Sequence, residues 1–150
     1  MSKNNIHVLA RAVITDQDHI LLCKTTDLAN NFYYLPGGHV ELGESAEEAL
    51  IRELMEEVGV HASIKRFLGC LEYRFNGGHC HDHEYSFVFE VESDHLEYNI
   101  KPKSMESKLD LIWMPIKQLA EIDFRADPLK TLIPKWLNSP ASNCFQSDIK

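Results

Sequence analysis

Between Leu35 and Val60 the chain specifies a glycine-rich loop, a helix start, an amphipathic helix and a helix stop in unbroken succession. Leu35-Pro36-Gly37-Gly38-His39 opens the stretch and lets backbone come close to whatever lies in front of it. Ser45 followed three residues later by Glu48 is a capping box, so a helix should begin just after Ser45. Gly59 is a natural C-terminal stop for it. At about 100° per residue, Leu50, Ile51, Leu54, Met55 and Val58 fall on one broad arc, which is expected to pack on the core. Glu53, Glu56 and Glu57 lie on a neighbouring arc at i, i+3 and i+4, alongside the small side chains of Ala46 and Ala49.

A solvated face is the plain reading of such glutamates, and two local preferences oppose it. Like charges at these spacings repel by roughly 0.2–0.5 kcal/mol per pair. Glu56 and Glu57 also occupy the last turn, where the helix dipole disfavours anions by about 0.3–1 kcal/mol. A bound cation accounts for the arrangement better than solvent does.

The order of residues carries a resemblance as well. Gly38, Glu44, Arg52-Glu53-Leu54, Glu56-Glu57 and Gly59-Val60 stand at the positions of the Nudix box, and no position departs from it. The chain therefore resembles the Nudix hydrolase family, and more loosely its MutT-like members. The resemblance implies an α/β/α sandwich around a mixed β-sheet. It also implies hydrolysis of a nucleoside diphosphate linked to another group, by attack of an activated water at phosphorus with no covalent intermediate. As implied ligands it gives the Gly38 carbonyl with Glu53, Glu56 and Glu57, and it adds Glu44 and Gly59 as supporting positions of the motif. Oxygen donors and a phosphate substrate point to Mg²⁺, with Mn²⁺ as a substitute. Arg52 reads either as a surface cation or as an ion-pair partner that orients a box glutamate. The resemblance favours the second, and a planar fork donor suits that task.

Composition agrees with a small soluble enzyme. The 150 residues suit a single domain, with an ordered core over about 5–137 and a polar tail over 138–150. A net charge of −8 without any Lys/Arg block argues against nonspecific nucleic-acid binding. Cys23, Cys70, Cys80 and Cys144 lack paired spacing, and neither a signal peptide nor an apolar run of membrane length is found. The expected setting is the reducing cytoplasm, with a nucleotide as partner, no membrane, and a homodimer left open.

Along the chain, strands are expected at Ile6–Thr15 and Ile20–Thr25 around an Asp16-Gln17-Asp18 turn. Asp27–Phe32 reads as a loop, and Tyr33–Val40 as a short strand turning into the box. A long strand follows over Ala62–Phe75, then a turn at Asn76-Gly77-Gly78 and a strand over Glu84–Glu92. In that last strand Tyr85, Phe87, Phe89 and Val91 share one side, leaving Glu90 and Glu92 to solvent. Leu109–Met114 reads as a strand, and Pro115–Ile122 and Pro128–Leu137 as helices. Beyond Asn138 little order is expected.

Family members usually add a carboxylate from a loop as base or ligand, and Glu106 is the choice here, with Glu84 next. The catalytic candidates are thus Glu53, Arg52, Glu56 and Glu106. The His79-Cys80-His81-Asp82-His83-Glu84 cluster lacks a second ligand pair at zinc spacing, so it reads first as the mobile tip of a hairpin and then as a substrate-contacting loop. Tyr34, His39, His81 and His83 are the candidate substrate contacts, with Phe32 and Tyr33 as further aromatic residues near a base. The markers of ADP-ribose, dinucleoside polyphosphate and coenzyme A hydrolases are missing. What remains resembles the group that includes nucleotide-pool sanitising enzymes, with an ADP-ribose or nucleotide-sugar pyrophosphatase as the alternative. A non-catalytic nucleotide sensor and an isoprenoid diphosphate isomerase are the competing classes. The intact box carboxylates speak against the sensor, and the flanking motifs against the isomerase.

Overall fold

The computed structural model describes residues 5–26, 31–74, 83–139 and 145–147. Strands β1 (Ile6–Val13), β2 (Thr15–Asp16) and β3 (His19–Thr25) come first, followed by β4 (Tyr33–Tyr34) and β5 (Gly37–His39). Helix α1 (Ala46–Glu57) then leads to the long pair β6 (Ser63–Arg74) and β7 (His83–Glu92). Strand β8 (Leu109–Pro115), a 3-10 turn (Ile116–Glu121), β9 (Phe124–Arg125), helix α2 (Leu129–Leu137) and β10 (Phe145–Ser147) complete the order.

Two mixed sheets result. One runs β10-β6-β7-β1-β5, with β1 parallel to β7 and antiparallel to β5. The other runs β2-β3-β4-β9, and β8 pairs antiparallel with β3. Gln17 and Asp18 both take positive φ, 47° and 63°, which a tight hairpin between β2 and β3 requires.

Consecutive strand residues join different cores. Val13, Ile20, Leu22 and Val88 belong to the cluster that also holds Leu132, Ile133 and Trp136 of α2. Ala10, Ala12, Ile14, Leu21, Cys23, Phe89 and Val91 belong to the cluster that holds Leu50 and Leu54 of α1. Side chains alternate across a strand, so both faces are covered, each by a different helix. That is the expected α/β/α layering. Among the described residues no helix is long and apolar enough to cross a membrane.

Three expectations need correction. Met55 is exposed and Ile51 only half-buried, so the packed arc of α1 is narrower than the sequence suggests. Glu57 instead joins it, because it stands seven residues after Leu50 and shares its face. Glu90 does not face solvent freely; it is half-buried between Arg66 (2.5 Å) and Lys65 (3.7 Å). Finally, Phe145–Ser147 runs parallel beside Cys70–Glu72, a strand where the sequence suggests a tail. The Asn76-Gly77-Gly78 turn lies outside the described residues.

Candidate active site

Helix α1 starts as its sequence demands. The Ser45 side chain accepts from the Glu48 amide (3.1 Å), and the Glu48 carboxylate accepts from the Ser45 amide (2.7 Å). At the other end Gly59 takes φ +73° and its amide reaches back to the Leu54 and Met55 carbonyls. Both ends fixed, the helix presents Arg52, Glu53, Glu56 and Glu57 to the loop that precedes it.

That loop is pressed against the helix. Gly37 has φ +135°, and a Cβ there would run into the Ala10 carbonyl of β1. A Cβ on Gly38 would occupy the space of the Glu53 carboxylate itself. The two glycines therefore permit an approach of backbone to carboxylate that any larger residue blocks.

Arg52 ties the pieces together. Its Nε and Nη2 donate to the two oxygens of Glu44 at 3.1 and 2.7 Å. Nη2 also donates to the His39 carbonyl (3.0 Å), and Nη1 to Glu53 Oε1 (2.9 Å). A 3.5 Å contact reaches Glu56 Oε1. Glu44 is itself held by the Glu41 amide (2.8 Å), and the Arg52 hydrogen bonds keep its carboxyl below the usual range. Arg52 is thus placed as an ion-pair partner of both Glu44 and Glu53.

Glu57 differs from its neighbours. It is 5% exposed, and burial pushes its pKa up to about 8, against the pull of Arg11 and with the push of Glu53 and Glu106. Beside it the Cys23 thiol lies 3.7 Å from Oε2, and burial raises that thiol well above its ordinary pKa. Glu106 is exposed, yet its field reaches Glu57, Cys23 and Tyr34. The Met105 amide donates to the Glu57 carbonyl (2.9 Å), which pins that loop to the helix end.

Among the described residues no three Asp, Glu, His or Cys side chains are gathered closely enough to hold an ion. Glu53 and Glu56 are drawn toward Arg52, while Glu57 points inward. The donor set nonetheless suits a hard cation: three carboxylates and a glycine carbonyl, with one carboxylate whose charge is costly where it stands.

Beside the box a cavity of about 310 Å³ opens, lined among others by Arg11, Phe32, Tyr34, Glu84, Ser86 and Arg125. Arg11 links it to the box: it lines the cavity, its guanidinium lies 5.7 Å from the Tyr34 ring centre, and its charge acts on Glu57.

A family model described as the NUDIX domain matches residues 5–135. The chain belongs to the NUDIX family. A putative mutator protein MutT4 of Mycobacterium tuberculosis is 36% identical over 92 residues, 57% of this chain and 33% of that protein. A putative 8-oxo-dGTP diphosphatase of Bacillus subtilis is 44% identical over 57 residues, 38% of this chain and 37% of that protein. The chain thus spans 33% and 37% of these two curated relatives. The solution structure of the E. coli ORF135 protein shares the fold with a TM-score of 0.73 and 19% identity, covering 95% of this chain and 99% of that one.

Within the Nudix frame the candidate residues separate. Gly38, Glu44, Arg52, Glu53, Glu56 and Glu57 come together, and Glu106 sits within electrostatic reach. Tyr34 lines the cavity. His39 is exposed and pairs with His7 (3.0 Å), with burial and His7 lowering its pKa. His83 does not line the cavity; its Nε2 lies 3.1 Å from Glu72, because odd positions of β7 face away from Glu84 and Ser86. His79, Cys80, His81 and Asp82 lie outside the described residues. Arg11, Ser86 and Arg125 are missed by motif reading, although an arginine between two alanines in an apolar strand is a visible signal for the first.

Proposed function

We propose that this Nudix protein is a Mg²⁺-dependent hydrolase of nucleoside diphosphate-linked compounds, a nucleoside triphosphate or related nucleotide, acting by water attack at phosphorus. The observation that carries the reading is the unbroken carboxylate set, braced by the Arg52 fork and the close Gly38 backbone, beside an aromatic-walled cavity. Glu53, Glu56, Glu57 and the Gly38 carbonyl would hold the cation. When bound, it supplies charge neutralisation for the diphosphate and a more acidic water.

The rest is the work of side chains. Arg52 keeps Glu53 turned toward the loop, so a ligand oxygen is placed before substrate arrives. Glu106, on the loop pinned to the helix end, is the base that accepts the proton of the attacking water. Arg11 offers a cation between cavity and box for the substrate's phosphates.

A sensor that binds nucleotide without cleaving it is the competing reading. The test is a panel of nucleoside triphosphates, ADP-ribose and nucleotide sugars, with Mg²⁺ and with EDTA, products identified by mass spectrometry. Mg²⁺-dependent release of a nucleoside monophosphate is expected. Binding across the panel without any turnover would establish the sensor instead.

A further inference from the structure

Among the described residues, Glu84 and Ser86 are two of the few buried polar side chains, at 8% and 2% exposure, and both line the cavity beside the box. They stand at alternate positions of β7, opposite His7 and Leu9 of β1, so they share the face that carries Val88 into the apolar core. A carboxylate is rarely buried on such a face. For packing alone an apolar residue would serve as well, since replacing a buried charged group and its partner by hydrophobic residues is often neutral or stabilising.

We propose that Glu84 makes this cavity selective for a guanine-type base. The inference rests on the nucleotide-hydrolase reading and assigns the base that site takes. A carboxylate only accepts hydrogen bonds, and it accepts two in parallel. Guanine presents two adjacent donors on one edge, N1–H and the N2 amino group. Adenine and cytosine each set a donor beside an acceptor on that edge, and uracil sets one donor between two acceptors. Each of these three turns a lone pair toward a buried carboxylate, which leaves groups unpaired on both sides.

The walls suit a flat ring. Phe32 and Tyr34 have ring centres 5.9 Å apart with their planes tilted by 48°. The Arg125 guanidinium lies over the Phe32 ring, 4.7 Å from its centre, so a planar cation joins the aromatic wall as a surface on which a base can stack. The volume of about 310 Å³ falls at the small end of the ~300–1,000 Å³ range for small-molecule sites. Arg11 reaches from this cavity toward the box, which orients the base inward and the phosphates outward. The proposed contact reads the N1/N2 edge and is indifferent to oxidation at position 8.

Calorimetric binding of GMP, IMP and AMP with Mg²⁺ present tests this without relying on turnover. IMP lacks only the N2 amino group. Wild type should bind GMP about tenfold more tightly than IMP, and more tightly still than AMP. Glu84→Gln presents one acceptor and one donor, so it should lose most of the guanine preference and gain affinity for AMP relative to GMP. Parallel kcat/KM values for GTP, ITP and ATP should follow the same order. Equal affinity for the three monophosphates, no binding of any, or an unchanged guanine preference in Glu84→Gln would overturn the proposal. Should that variant fail to fold, the GMP/IMP ratio of wild type decides alone. Guanine-selective binding without turnover would refute the hydrolase reading and leave the role of Glu84 standing; turnover without base preference would do the reverse.

Discussion

Replacing Glu57 by glutamine separates two opposed demands on one side chain. As the cation ligand proposed above it is needed charged; as a buried carboxyl, with a pKa of about 8 in the folded chain against about 4.3 unfolded, it resists charge. Without cation, the folded form holds a proton through that window that the unfolded form has lost, so stability falls as pH rises from about 4.3 toward 8. Thermal melts in EDTA should show this decline in wild type and a flatter profile in Glu57→Gln. The same variant with saturating Mg²⁺ should lose several orders of magnitude in turnover. Retention of more than about a tenth, a loss under about 1.4 kcal/mol, would remove Glu57 from the ligand set. Arg52 makes a second test. Its fork to Glu44 together with the Glu53 and His39 bonds uses donors that an ammonium cannot place simultaneously. Arg52→Lys should therefore rescue little of the activity lost in Arg52→Ala, measured as kcat/KM. Near-complete rescue would mean that charge alone suffices.

Elements with strong local signals are legible in the amino-acid sequence. The capping box at Ser45/Glu48 and the glycine stop at Gly59 both appear where the residues demand them. Alternation in β7 places Tyr85, Phe87, Phe89 and Val91 on one side, as the residue pattern indicates. The inward turn of Glu57 is less legible, since helical spacing puts it on an arc adjoining both the apolar and the acidic residues, and only tertiary packing decides which one wins. Strand β10 carries no signal, because Phe145-Gln146-Ser147 is too short for periodicity and its order comes from pairing with Cys70–Glu72. The cap itself can be tested. Ser45→Ala should cost about 1 kcal/mol, a fall of roughly 2–4 °C in Tm for a domain of this size, with kcat/KM also reduced because Glu44, which Arg52 holds, sits at the helix entry. A melt unchanged from wild type would contradict the capping role.

At the scale of the whole molecule, the box site depends on contacts between distant segments. Gly37 abuts Ala10 of β1, Cys23 of β3 meets Glu57, and Met105 from the loop before β8 holds the end of α1. The box residues lie close in sequence, so a motif is enough to find them. The cavity draws on β1, β3, β4, β7, β9 and α2, and no local pattern can assemble it. Ser86 and Arg125 become visible only when the strands are brought together, and Arg11 is marked in the sequence only by its place between two alanines of an apolar strand. The central claim, water attack at phosphorus within a cation site built by the box, is tested most directly by hydrolysis in ¹⁸O-labelled water. For a nucleoside triphosphate that the chain turns over with Mg²⁺, mass spectrometry should find one ¹⁸O in a single product phosphate after one turnover, no turnover in EDTA, and no phosphorylated protein. Label-free products with a trapped phosphoenzyme, or equal turnover in EDTA, would contradict it.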